Sequence, residues 1–507
     1  MKKIINFLTK RTIVVSLCIL LQFAFVYLGV YWLSAQYRWI ELVITLLAWS
    51  TTLFILSRNV NPSYKIAWIL PILALPVFGI VLYALFGGNR LSARLKRKMA
   101  SVQRTLRSNL IPDEEISRQL VREDADAAVQ SQYLLAADFP VYCNTQTVYF
   151  PSGESCFERM KQELSKAEKT IFLEYFIISP GVMFDPIIEI LREKIAQGVD
   201  VRLIYDDFGC IEKLPRGYDK LLRSYGIRVC VFNPYVPVLS SRLNNRDHRK
   251  LMLIDGKVGF TGGINLNDEY INRRDRGCGH WKDCGLMLRG EAVWSLTVMF
   301  LSMWNYISGE KEQVFVPVKL SEPAASGYVQ PFADSPLDNE TITRTVYMNL
   351  INKAKRRVYI MTPYLIIDDL LIETLSIAAK SGVDVRIITP SMGDKDYVHL
   401  MTRAYYIPLV EAGVRIFEYQ PGFIHSKVFL TDDSLAVVGT VNLDFRSLYL
   451  HFENGVWLYD ADCIAQIHDD FEETFLQCRE VSYQDCMATP WYLRLARSIL
   501  RIFSPLM

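Results

Sequence analysis

The stretch His248-Arg-Lys250-Leu-Met-Leu-Ile-Asp255-Gly-Lys-Val-Gly-Phe-Thr-Gly-Gly-Ile-Asn265 returns in altered form as His425-Ser-Lys427-Val-Phe-Leu-Thr-Asp432-Asp-Ser-Leu-Ala-Val-Val-Gly-Thr-Val-Asn442. Both copies read H-x-K-x4-D, and in both an asparagine stands 17 residues after the histidine. Apolar residues flank Asp255-Gly256 and Asp432-Asp433, so each copy predicts a strand, a tight turn and a returning strand. Residues two apart on a strand share a face, which sets His248 beside Lys250 and His425 beside Lys427. Asn265 and Asn442 arrive at the end of the returning strand, within reach of that face. An imidazole, an ammonium and an amide then surround one spot in each half. Such donors suit the equatorial oxygens of a phosphoryl group as negative charge gathers on them. Asp255 and Asp432, the third members of the motif, sit at the turns and read as structural more than chemical. One such motif can arise by composition alone; two, each with its asparagine at the same distance, do not.

The repetition extends outward. Gly198-Val-Asp-Val-Arg202 recurs unchanged as Gly382-Val-Asp-Val-Arg386, and Gly226-Ile-Arg-Val229 is echoed by Gly413-Val-Arg-Ile416, at offsets of 184 and 187 residues. Upstream, the apolar strand Lys169–Ile178 matches Arg356–Leu365, and each is followed by an amphipathic helix ending at a glycine. Strands alternating with helices imply an α/β fold of two duplicated halves with mainly parallel sheets. A period this long excludes a short-repeat solenoid. The proline-, glycine- and serine-bearing segment 308–335 reads as the connection between halves.

The chain has 507 residues, 51% hydrophobic and 22% charged, with 56 basic against 54 acidic side chains. That composition excludes intrinsic disorder and a disulfide miniprotein. A net charge of +2 carries no signature of a nucleic-acid binder, and no nucleic-acid partner is expected. The ten cysteines include no C-x-x-C pair and read as reduced thiols in a cytosol-facing protein. Cys278, His280 and Cys284 come nearest to a metal pattern but lack a second half, so no metal site is expected. His280, His399, His451 and His468 read as local structural residues.

Apolar runs cover Ile13–Leu33, Trp39–Leu56 and Ile66–Phe86, each near the length a membrane-crossing helix needs. Tyr31, Trp32, Tyr37 and Trp39 cluster where the first two meet, as an interfacial belt would. Lys2, Lys3, Lys10 and Arg11 precede the first run, and seven basic residues with no acid fill 89–107. Both flanks therefore belong in the cytoplasm, which requires an even number of crossings from three runs. The third run, broken by Pro71 and Pro76, is the candidate for a re-entrant segment. Near the C-terminus, Arg494, Arg497 and Arg501 share one face of a helix whose other side is Leu, Ile and Phe. That pattern fits both an interfacial helix on anionic lipid and a core-packed terminal helix.

With the paired H-x-K-x4-D motifs in view, the chain resembles the phospholipase D superfamily over roughly residues 130–485. Within it, the N-terminal hydrophobic runs ending Leu82-Tyr-Ala-Leu-Phe-Gly-Gly88 and the basic apolar tail resemble bacterial cardiolipin synthases. The resemblance implies two phospholipase D-like halves of mixed sheets flanked by helices, behind an N-terminal helical membrane anchor. The expected boundaries are 1–88 for the anchor, with two or three hydrophobic helices, and 89–130 for a basic juxtamembrane linker. The first half then spans 131–325, and the second, with its C-terminal amphipathic helix, 326–507. It further implies a multi-pass protein of the bacterial cell membrane with its catalytic part on the cytoplasmic face, although the family pattern has two apolar runs where this chain has three. The implied chemistry joins two phosphatidylglycerol molecules into cardiolipin and releases glycerol, through a phosphohistidine and without a cofactor or metal. By similarity, His248 is the nucleophile and His425 the acid and base, in catalytic motifs with Lys250, Asp255, Lys427 and Asp432. Lys250, Asn265, Lys427 and Asn442 bind the phosphate, and Asp283 and Glu453 orient the imidazoles. The partners implied are phosphatidylglycerol and other anionic membrane lipids. The same residues would serve a membrane phospholipase D that uses water as acceptor. A nuclease lacks the expected basic excess here, and a dead scaffold would not keep two complete motifs.

Overall fold

The computed structural model describes residues 24, 27–29, 31, 32, 37–87, 97–102, 109–234, 244–310, 325–337 and 340–506. In the first half, β1 (Thr145–Phe150), β2 (Thr170–Tyr175), β3 (Asp200–Asp206), β4 (Arg228–Phe232), β5 (Lys250–Ile254), β6 (Val258–Gly262) and β8 (Gly285–Gly290) form one sheet. Their order is β1-β8-β6-β5-β2-β3-β4, with the short β7 (His280–Lys282) outside it. The second half builds its sheet from β9 (Tyr328–Asp334), β10 (Arg357–Met361), β12 (Asp384–Pro390), β13 (Arg415–Tyr419), β15 (Val428–Thr431), β16 (Leu435–Gly439), β18 (Glu453–Tyr459) and β19 (Cys478–Val481). Three short strands, β11 (Leu365–Ile366), β14 (Gly422–Ile424) and β17 (Leu443–Asp444), lie outside that sheet. From its far edge the second sheet runs β9-β18-β16-β15-β10-β12-β13, the same path as the first, with β19 added. The duplication in the sequence is a duplication in space.

The sheets are mixed where strand–helix alternation alone suggested mainly parallel ones. Only β2-β3-β4 and β10-β12-β13 are parallel; β5 and β15 enter antiparallel and carry the predicted hairpins to β6 and β16. Asp255, Gly256, Asp432 and Asp433 take positive φ at the two hairpin turns, as a tight turn between twisted strands requires. Asp255 accepts hydrogen bonds from the backbone N–H groups of Glu168, Lys169 and Thr170, at 2.7–2.9 Å. Asp432 does the same for Lys355, Arg356 and Arg357. Each aspartate thereby fixes the start of the neighbouring strand against its own hairpin.

One apolar core runs through both halves. Helix Val293–Ser308, buried from Val293 through Asn305, packs on β4 and β5 of the first half and on β9 of the second. Segment 89–130 is not all linker. Helices Glu114–Glu123 and Ala125–Ala136 lie in or cross it, with Ala127 and Leu134 in the core and Gln330 Nε2 donating to the Ser131 carbonyl. The middle of the connection between halves, 311–324, lies outside the described residues.

At the membrane end, helix Arg38–Ser57 is largely unburied, exposing Trp39, Leu42, Leu46 and Leu53. Its span Trp39–Ser57 is long and apolar enough to cross a membrane, and it alone is so among the described residues. The third apolar run is not a continuous span. It splits into helices Pro62–Ala74 and Pro76–Phe86 because Pro76 drives Leu75 out of the helical region, to φ −136° and ψ 75°. The two pieces fold together at Gly79, where a Cβ would come within 2.4 Å of the Ile72 backbone. The expected multi-pass arrangement is therefore not supported by the described residues, and most of the first run lies outside them. The terminal helix Trp491–Phe503 buries no residue. Trp491, Leu495, Ile499 and Ile502 face outward, while Arg497 and Arg501 turn inward to Thr489 and Asp369. The helix's outward face is thus apolar.

Replacing Asp255 or Asp432 by alanine should lower stability by about 1–3 kcal/mol, since each removes charge-assisted bonds to three amides. Thermal unfolding in detergent measures the loss. Activity per folded molecule should stay near the parent value; a large fall there, with unchanged stability, would assign the aspartates a part in chemistry instead.

Candidate active site

The hairpins bring His248 to the mouth of β5 and His425 just ahead of β15, and the two halves then exchange supports. The residues ahead of His248 run alongside those ahead of Glu453: Asp247 bridges Phe452, and His248 N–H donates to the Phe452 carbonyl at 2.9 Å. On the other side β14, which leads into His425, pairs in parallel with β7, which leads into Asp283. His425 N–H donates to the Lys282 carbonyl at 2.6 Å. Each imidazole therefore meets a carboxylate from the opposite half.

The pairings are close. His248 Nδ1 lies 2.8 and 3.0 Å from the two Glu453 oxygens, and His425 Nδ1 lies 2.6 Å from Asp283 Oδ2. A carboxylate only accepts, so Nδ1 of each ring carries the proton and Nε2 keeps a free lone pair. Thr440 Oγ1 donates to Glu453 Oε2 at 2.5 Å, and the Cys284 N–H donates to Asp283 Oδ1 at 2.8 Å. Both carboxylates are fully buried, and both imidazoles are 8% exposed. Phe176 stacks edge-on to His248, and Tyr270 to His425.

The lysines fold back onto their own strands. Lys250 Nζ donates to the His248 carbonyl at 2.5 Å, and Lys427 Nζ to the His425 carbonyl. The asparagines differ despite their matching positions. Asn265 is tied at both ends, accepting from Ile177 N–H and donating to Tyr270 Oη, whereas Asn442 Oδ1 is buried with no hydrogen-bond partner. Asp255 and Asp432 lie about 16 Å along the strand from the lysines, at the turns.

Burial and mutual charge set the protonation states. Burial, reinforced by Lys250 and His451 and opposed by Glu453, lowers His248 to about 3. Burial with Lys427 and Lys250 lowers His425 to about 4 against the pull of Asp283. Burial also lowers Lys250 to about 7 and Lys427 to about 8. Burial alone would raise both carboxylates, but the imidazoles and, for Asp283, Lys427 hold them below their ordinary values. Two neutral imidazoles with free Nε2 atoms thus flank two lysines, both of them charged below about pH 7. That set can bind an anionic phosphodiester, attack it and move a proton.

Two features escape a reading of the sequence alone. The exchange of carboxylates has no signal in linear order, because Asp283 and Glu453 each follow their own half's motif. His451, expected to be merely structural, lies with its ring 5.5 Å from that of His248 and Nδ1 3.6 Å from Glu453. Its position two residues before an orienting carboxylate was the available clue. Cys278, His280 and Cys284 do not converge; His280 Nδ1 meets Tyr419 Oη instead.

A duplicated α/β chain with two His–Lys hairpins meeting across exchanged carboxylates is an enzyme of the phospholipase D superfamily. The chain belongs to the cardiolipin synthase family within it. The family described as "Cardiolipin synthase, PLD-like domain" matches residues 160–278 and 347–475, and "Phospholipase_D-nuclease N-terminal" matches 43–88. A cardiolipin synthase of Geobacillus kaustophilus is 37% identical over 90% of this chain and 91% of its own. "Cardiolipin synthase 2" of Bacillus anthracis is 34% identical over 89% and 88%. A Streptococcus mutans protein of uncharacterised function is 42% identical over 90% and 99%. Among solved structures, the phosphatidylserine synthase of Haemophilus influenzae shares the fold, with a TM-score of 0.54 and 15% identity, over 71% of this chain and 94% of its own.

The cross-half pairing makes a specific prediction. Glu453→Gln should cost about 10²–10⁴-fold in activity, by freeing the His248 ring to take the wrong tautomer. Added to His248→Ala it should cost almost nothing more, whereas in a background with His248 intact and His425→Ala it should still reduce any residual activity. Additive losses in the His248→Ala background would break the pairing.

Proposed function

We propose that the protein transfers a phosphatidyl group from one phosphatidylglycerol to another, forming cardiolipin and releasing glycerol. The observation that carries this reading is the pair of buried imidazoles, each anchored through Nδ1 so that Nε2 is left for chemistry. His248 Nε2 attacks phosphorus, and the bond to the glycerol oxygen breaks as His425 supplies a proton to it. His425 then takes the proton of the second lipid's hydroxyl, whose oxygen displaces His248 from phosphorus. Both histidines return to their starting states. In the free site, burial and the lysines hold His425 low; an entering phosphodiester anion offsets the lysine charge and lets it hold the proton it must donate. Lys250, Lys427 and Asn442 meet the phosphate oxygens. Asn265 joins them through the second N–H of its amide, the first being given to Tyr270. The ammonium groups supply the positive charge, so the proposed chemistry routes no step through a metal.

The protein is membrane-associated and acts on membrane phospholipids. Cardiolipin as the product is supported by the names of the relatives. A cavity of about 810 Å³ lies where the loop after the membrane helix meets the second half, lined by Arg58, Asn61, Tyr64, Arg344, Tyr449 and His451. The outward apolar row of the terminal helix supports contact with the bilayer. The nine described cysteines are all free thiols, which with the basic run 89–107 supports a cytoplasmic face.

Incubation of the purified full-length protein with labelled phosphatidylglycerol should yield cardiolipin and free glycerol in equal amounts. Phosphatidic acid as the main product would move the reading to hydrolysis. His248→Ala should form no labelled protein, whereas His425→Ala, with a better leaving group on the substrate, should trap label on His248. Label on His425 in the His248→Ala protein would reverse the roles.

The lysines give the reaction a pH dependence of definite sign. A lysine is charged below its pKa, so affinity for a non-reactive phosphodiester analogue should fall as pH rises through about 7 and again through about 8. Lys250→Arg should push the first of these losses to higher pH, because a guanidinium stays charged. A flat affinity profile from pH 6 to 9 would remove the lysines from phosphate binding.

A further inference from the structure

We propose that His451, Glu453 and His248 form a site for a zinc-class divalent ion, and that filling it stops the reaction. The donor atoms of these three side chains all lie within 4.8 Å of one another. Glu453 stands 2.8 Å from His248 Nδ1 and 3.6 Å from His451 Nδ1. Tetrahedral zinc, with bonds of about 2.0–2.2 Å to nitrogen and oxygen, needs donors about 3.3–3.5 Å apart. Small ring rotations bring the set to that spacing.

His451 is the observation that points to a ligand. Its side chain is only 10% exposed, and both ring nitrogens are buried without a hydrogen-bond partner. A buried imidazole whose nearest carboxylate oxygen stands at 3.6 Å, beyond hydrogen-bond reach, is costly unless something else occupies it. The chemistry of the set selects the ion. Two imidazoles and one carboxylate suit zinc, cobalt or nickel, whereas magnesium and calcium demand oxygen ligands. The other half cannot do the same: the residue two before Asp283 is Trp281, whose indole ring lies against His425 and offers no lone pair for a metal. His451 also stands on the wall of the cavity beside the membrane loop, which gives an ion a path inward.

The consequence for the reaction follows from proton placement. An ion bonded to Nδ1 of His248 takes that lone pair, so the ring's single proton moves to Nε2. The lone pair that would attack phosphorus is then gone. The same loss disables the ring as a base, so the block does not depend on which histidine is the nucleophile. The metal titration below is likewise independent of which lipid is transferred.

The test uses the purified full-length protein in detergent, free of lipid, titrated with cobalt(II) and with zinc. One equivalent per chain should bind, and cobalt should show the intense visible absorption of a tetrahedral site. His451→Asn and Glu453→Gln should each abolish that spectrum. In the lipid assay zinc should inhibit, a chelator should restore activity, and magnesium at the same concentration should not inhibit. Measured against its own zinc-free rate, His451→Asn should need at least about 100-fold more zinc for half-inhibition. The unchanged lipid in that comparison separates site binding from effects of zinc on the bilayer. If His451→Asn does not fold, His451→Gln serves, and the wild-type cobalt spectrum stands alone. Failure of wild-type protein to bind one equivalent, or equal zinc sensitivity in the His451 variants, overturns the site.

Discussion

Each motif histidine is anchored by a carboxylate that only the other half of the chain can supply. His248–Glu453 and His425–Asp283 are buried pairs, and a buried carboxylate without its partner would be strongly unfavourable. The pairs therefore require the halves to close in one register. Around them run β7 against β14, Asp247 against Phe452, and the Lys282–Asp470 ion pair at 2.6 Å. The Asn454 Nδ2–Thr261 Oγ1 bond at 2.8 Å joins β18 to β6 across the same interface. Sheet order, hairpin turns and the shared helix Val293–Ser308 all serve to hold these two contacts.

The electrostatics follow from the same closure. Bringing two ammonium groups and two imidazoles into a dry site lowers the pKa of each of them. The lysine charges are balanced by the two ionised carboxylates behind the imidazoles, and an entering anion meets the lysine side. The imidazoles stay neutral until that anion arrives, so nucleophile and acid need not be set apart in advance by different surroundings. Binding itself changes the proton affinity of the ring that must donate.

Much of this was legible in the sequence, for a physical reason. Period-two patterning and the Asp-Gly and Asp-Asp turns report local backbone geometry, so both hairpins and the alternation of strands and helices stand where they were expected. Identical blocks such as Gly198–Arg202 and Gly382–Arg386 exposed the duplication. Side-chain partners across halves were not legible, because nothing in linear order says that Glu453 reaches past its own motif to His248. His451 was passed over for the same cause: its significance comes from a ring in the other half. At the membrane end, the prolines of Ile66–Phe86 marked it as broken, and the conformational limits that Pro76 places on Leu75 fix where it divides. Strand direction was legible within the hairpins, but nothing in linear order set β5 and β15 antiparallel to β2 and β10.

Carrying both halves in one chain has a consequence for how the site can change. In a symmetric dimer of a single half, every substitution would appear at both imidazoles at once. Fusion removes that constraint, and this chain has used the freedom: Trp281 faces one imidazole and His451 the other, and Asn265 is bonded where Asn442 is not. Such a site can assign unlike tasks to parts that began alike. A ring specialised to hold a phosphoryl group can be tuned without disturbing the ring that handles its proton.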